Sequence, residues 1–169
     1  MYSSFIFVYM KNVTLTVNKA YVYDEVAKTT AYAGAKMMAE DATAYGRIFT
    51  TDEDRLLLER FWVETCNAVT NQFKPFLVSM DSQPISHGVD LARNYSVSLE
   101  LSSSYDDNLT EAISTSLFSF FVASIVSKWF TFSNKPEAES YTMGASSIMD
   151  DVMRKIYYKK KPTRIIPNK

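Results

Sequence analysis

"SLFSFFVASIVSKWFTFSNKPEAES", residues 116–140, is the most apolar part of the chain, and it stops at a polar break marked by a proline. Asp107 or Asn108 is placed to cap a helix that runs into it. From there Leu109, Ile113, Leu117, Phe120, Phe121, Ile125, Val126, Trp129 and Phe130 spread apolar contact nearly all round, the pattern of an enclosed helix. A membrane span needs about twenty apolar residues, whereas only residues 112–127 separate Glu111 from Lys128 and several are serine. The reading is a buried central helix and no membrane. So much apolar surface in so small a chain also points to a subunit neighbour covering part of it.

Beyond the break, Pro136 suits a first helical turn, and Glu137 and Glu139 suit the positive end of a helix. Tyr141, Ile148, Val152 and Ile156 then mark an amphipathic helix to about Tyr158. "KKKPTRIIPNK", residues 159–169, reads as an extended basic arm because of its two prolines and its charge run.

On the other side, "ARNYSVSLELSSSYDD", residues 92–107, alternates Tyr95, Val97, Leu99 and Leu101 with polar residues, a strand with one wet face. Its pairing partner is open among residues 13–17, residues 77–85 and a neighbouring subunit. "VTLTV", residues 13–17, has the same period. Asp24 is a candidate N-cap for an Ala-rich helix ending near Gly46. Thr50 and Glu53 suit a capping box for a helix whose stripe is Leu57, Phe61, Glu64, Ala68 and Phe73, with a kink expected at Pro75. Residues 80–88 read as loop.

The expected fold is therefore mainly α: a bundle of about four helices with an inserted β-strand or hairpin at about 77–103 and a short N-terminal strand. Residues 1–158 form one helical domain and residues 159–169 an arm. A length of 169 residues with eleven Tyr, eleven Phe and two Trp supports a real core. The apolar N-terminus "MYSSFIFVYMK" lacks the basic region and cleavage site of a secretory signal, and Met10 is an alternative start.

A net charge of −1 gives no general reason for nucleic acid or an anionic membrane as partner. Seven of the eighteen basic residues nevertheless lie from Arg154 onward. One cysteine, Cys66, and one histidine, His87, exclude an internal disulfide and leave no zinc ligand set, and they suit a reducing cytoplasm. Asp106 with Asp107, and Asp150 with Asp151, have the chemistry for magnesium or acid–base work, but a helix start and a polar helix face account for them as well. With four glycines and no phosphate-loop motif, the expectation is no enzyme, cofactor or metal.

The order of elements resembles the head-to-tail connector (head completion) proteins of tailed phages. "TTDEDRLLLERFWVETCNAVTNQF", residues 50–73, resembles their opening helix. "LTEAISTSLFSFFVASIVSKWFTFSNKPEAES", residues 109–140, is similar to their long helix with its aromatic end and polar break, and "IMDDVMRKIYYKKKPTR", residues 148–164, looks like the closing helix and basic terminus. The whole is also similar to proteins encoded in Bacteroidetes prophages. The strand region and the N-terminal strand and helix exceed the minimal connector.

The resemblance implies a virion structural protein, an adaptor ring commonly of twelve subunits. It would bind portal and tail proteins in the virion neck, touch channel DNA only non-specifically, and occupy the host cytoplasm during assembly. Interfaces are expected at Tyr95, Val97, Leu99 and Leu101, by strand addition to a neighbour, and at Tyr157, Tyr158, Lys159, Lys160, Lys161 and Arg164 on the arm. The alternative is a small helical DNA-associated or regulatory protein acting through its basic tail.

Overall fold

The structure, a computed structural model, describes residues 9–81 and 93–162. The fold is mainly α, and the described residues form four long helices, one short helix and a three-stranded antiparallel sheet. Strand β1 (Lys11–Val17) buries Val13, Leu15 and Val17 and turns its threonines outward, as the period of two demands.

Helix α1 (Lys19–Met37) begins earlier than Asp24, because the side chain of Asn18 accepts a bond from the N–H of Tyr21 at 3.1 Å and caps it. Asp24 instead pairs with Lys28 on the surface. The helix also stops short of Gly46. The Asp41 carboxylate accepts from both the N–H and the hydroxyl of Thr43, at 2.9 and 2.7 Å, and this turn redirects the chain into the separate helix α2 (Ala44–Ile48).

The capping box falls one residue later than expected, at Thr51 and Asp54. Thr50 is buried and shares a hydroxyl bond of 3.2 Å with Thr30. Helix α3 (Arg55–Phe73) buries Leu58, Phe61, Trp62, Thr65, Cys66, Val69 and Phe73, whereas Ala68 is exposed and Leu57 and Glu64 are half-buried. Pro75 does not kink this helix. The helix ends at Phe73, and Pro75 sits in a 3-10 turn (Lys74–Phe76) that feeds strand β2 (Leu77–Met80).

Strand β3 (Tyr95–Leu101) lies between the other two. It pairs with β1 from Lys11↔Leu101 to Val17↔Tyr95, and with β2 at Leu77↔Leu99 and Met80↔Val97 across a bulge. Both ladders of β3 are thus occupied within the chain, and Tyr95, Val97, Leu99 and Leu101 are at most 1% exposed. The expectation that these four meet a neighbouring subunit is corrected: their apolar face packs on the chain's own helices. The wet face carries Thr14 bonded to Ser98 and Thr16 bonded to Ser96.

Asp106 caps the 3-10 turn (Asp107–Leu109) ahead of helix α4 (Thr110–Ser133), accepting from the Asn108 N–H at 3.1 Å. By length and composition α4 is apolar enough to cross a membrane. It is packed against α1, α3, β1 and helix α5 (Lys135–Tyr157), which returns antiparallel along it. The surplus apolar surface expected of α4 is largely covered by the chain itself, with Phe132, 73% exposed, as the exception. Phe121 joins Trp62 and Tyr95 at ring separations of 4.8 and 5.3 Å, and Trp129 donates to the Ile48 carbonyl at 2.6 Å, fastening α2 to α4. Among the described residues every buried side-chain nitrogen and oxygen has a partner.

Candidate assembly surface

The return of α5 along α4 brings the end of the described chain, and the pairing of Lys11 with Leu101 brings the start of β1, to one end of the body. The segment 102–107 joins them. Lys11 donates from its ammonium to the Tyr105 carbonyl at 3.0 Å and pairs with Asp107 at 2.5 Å. From the other side, Lys159 bridges Tyr105, the Lys160 N–H donates to the Ser104 carbonyl at 2.8 Å, and the Lys160 ammonium reaches Asp106 at 2.8 Å. The Lys160 ammonium, assisted by the Asn108 N–H, holds the Asp106 carboxyl below its ordinary range, and Asp106 in turn raises Lys160.

Beside this clasp lies a shallow groove of about 440 Å³, lined by Met10, Phe76, Val78, Glu100, Tyr157 and Lys159 among others. The Phe76 and Tyr157 rings meet edge to face at 5.1 Å. Met10, Val78 and Tyr157 of its lining are exposed, as are Tyr9 and Tyr158 next to them in the chain, although each is a side chain that folding ordinarily hides or covers in part. Lys159 and Glu100 line it, and Arg154 and Asp150 line the neighbouring hollow that shares Tyr157. Lys74 precedes the Pro75 of its lining and Lys161 follows the clasp; among the described residues neither they nor Arg154 and Lys159 have an ion pair.

Of the expected arm residues, Tyr157, Tyr158, Lys159 and Lys161 are exposed at this surface, and Arg164 lies outside the described residues. Lys160 is also solvent-facing, but its ammonium and its N–H are engaged by its own chain, so the arm starts strapped to the body instead of leaving it at residue 159. Phe76 and Val78 were not singled out in the sequence, and Met10 only as an alternative start. The available signal was "FLV" at 76–78, where Leu77 and Val78 put apolar side chains on both faces of one strand, a pattern that an edge strand leaves half-uncovered.

The acidic pairs have structural duties. Asp106 and Asp107 cap and clasp. Asp151 accepts from Lys155, which holds its carboxyl below the usual range, while Asp150 is exposed. Among the described residues no three His, Cys, Asp or Glu side chains gather closely enough to hold a metal ion. His87 lies outside the described residues. Cys66 is buried, and burial pushes its thiol well above the ordinary thiol range. The groove therefore offers apolar and aromatic contact with a cationic rim. No family model matches the chain, and no curated protein or solved structure shows significant similarity to it.

Proposed function

We propose that the chain is a virion structural protein, a head-to-tail adaptor of a tailed phage or prophage that assembles between portal and tail. The observation that carries this reading is the gathering of exposed Met10, Val78 and Tyr157 in one groove, with exposed Tyr9 and Tyr158 next to them in the chain, at the end of a helical body where the two ends of the described chain meet. Exposed aromatic and aliphatic side chains with an arginine and lysine rim have the composition of a protein-binding surface. The likeness of residues 50–73, 109–140 and 148–164 to connector helices supplies the kind of assembly, a ring around the DNA channel.

The test is co-purification of this chain with the portal and tail proteins encoded beside it, followed by electron microscopy of the complex. Stable capture by either partner, with ring-shaped particles, is the expected result. A chain that stays monomeric at high concentration and binds neither partner overturns the reading. Salt-dependent DNA binding that disappears on deleting residues 159–169 would put the DNA-associated alternative in its place.

A further inference from the structure

The groove has a counterpart at the opposite end of the body. Helix α3 runs antiparallel to α4, as Phe61 stacked on Phe132 at 6.2 Å, Lys128 paired with Glu64 at 3.0 Å and Thr65 bonded to Ser124 at 3.2 Å together show. The start of α3 therefore lies at the far end of α4, about 36 Å from the clasp by the rise of a 24-residue helix. Leu56, 61% exposed, and Phe132, 73% exposed, stand there uncovered.

The charges at that end are opposite to those at the groove. Asp52 and Glu53 in the 3-10 turn before α3, and Glu137 and Glu139 in the opening turns of α5, are exposed and have no ion pair. Lys36, Arg55 and Lys135 are the bases of that end, fewer than these acids. At the groove end, the unpaired Lys74, Arg154, Lys159 and Lys161 outnumber Glu100, Glu111 and Asp150. Each end thus joins uncovered apolar side chains to an excess of one charge, and the two excesses are of opposite sign.

We infer that the two ends are the halves of one contact between copies of this chain, with Leu56 and Phe132 of one copy seated at the groove of the next. Asp52 and Glu53 then face Lys159 and Lys161. A helix length separates the halves on one chain, so neither can satisfy the other internally, and the contact is heterologous and repeats from copy to copy. The inference rests on the reading of the chain as an assembly component.

Charge reversal at exposed positions tests it without touching the core. Asp52→Lys with Glu53→Lys makes one variant, and Lys159→Glu with Lys161→Glu the other. In sedimentation velocity the unaltered protein self-associates, each variant alone associates at least about tenfold more weakly, and an equimolar mixture of the two recovers association. Monomeric unaltered protein, variants that associate as well as it does, or a mixture that fails to recover overturns the inference. Portal and tail binding is measured on the same samples. Partner binding without self-association ends this inference and leaves the adaptor reading standing, and self-association without partner binding does the reverse.

Discussion

Lys19 and Glu59, forty positions apart, form an ion pair inside the protein, with side chains only 5% and 11% exposed. The Tyr23 hydroxyl donates to the same carboxylate at 3.2 Å, and its ring lies 5.5 Å from the Lys19 ammonium. The pair ties the first turn of α1 to α3, and its removal from water is offset only while both charges are present. Glu59→Leu alone, which strands a buried ammonium, is expected to lower stability by about 3–5 kcal/mol, and adding Lys19→Met to recover most of that loss. Urea unfolding of the single and double variants measures both. A single variant as stable as the unaltered protein would contradict the account.

Glycine positions separate close approach from open space. A Cβ at Gly34 would come within 3.0 Å of the Tyr45 Cα, because α1 and α2 pack backbone to backbone there, whereas one at Gly144 in α5 would meet nothing within 4 Å. Gly34→Ala should cost about 1–3 kcal/mol, and Gly144→Ala should stabilise by about 0.5–1 kcal/mol through the entropy of the unfolded chain. Thermal midpoints moving in opposite directions are the expected outcome.

The clasp at Asp106 and Lys160 has a defined pH window. Pairing lowers the folded carboxyl, so its contribution is present above the ordinary carboxylate range and is lost as pH falls through the depressed value. The raised Lys160 ammonium contributes below the ordinary ammonium range and is lost as pH rises through its elevated value. Between those limits the strap holds. Hydrogen exchange at the Lys160 N–H, which donates to Ser104, should accelerate severalfold more than the pH dependence of intrinsic exchange when the pH is taken below the carboxylate range. Asp106→Asn should produce the same release at neutral pH.

Cys66 reports the opening of the core. Its thiol is fully buried among α3, α1 and β3, and burial disfavours the thiolate. A thiol reagent at mildly alkaline pH should therefore modify the protein only as fast as it unfolds, with the rate rising steeply in denaturant. Prompt stoichiometric labelling of folded protein would show that the site opens locally.

Much of the secondary structure was legible because it is local. The alternation of residues 95–101, the apolar run from Ile113 to Phe130, and Pro136 in a first turn each follow from the period of a single element, and the strand and helices formed where those periods placed them. Errors fell where a side chain found a different local bond. Asn18 displaced Asp24 as the cap, Thr43 bonded to Asp41 and broke the Ala-rich helix, and Thr50 went to Thr30 and left the capping box to Thr51.

The sequence by itself determined where β3, α4 and α5 form and that each has an apolar face to cover. Tertiary structure alone decided what covers them. The alternating face of β3 looked the same whether a neighbour or its own helices lay against it, and β1, paired with it from Lys11↔Leu101 to Val17↔Tyr95, closed one of its edges while β2 closed the other. The same folding left Val78 and Tyr157 at one end and Leu56 and Phe132 at the other without cover. Periodicity reports the angle at which an apolar side chain leaves the backbone. The identity of the surface it meets depends on contacts between residues far apart in the chain, which no local pattern encodes.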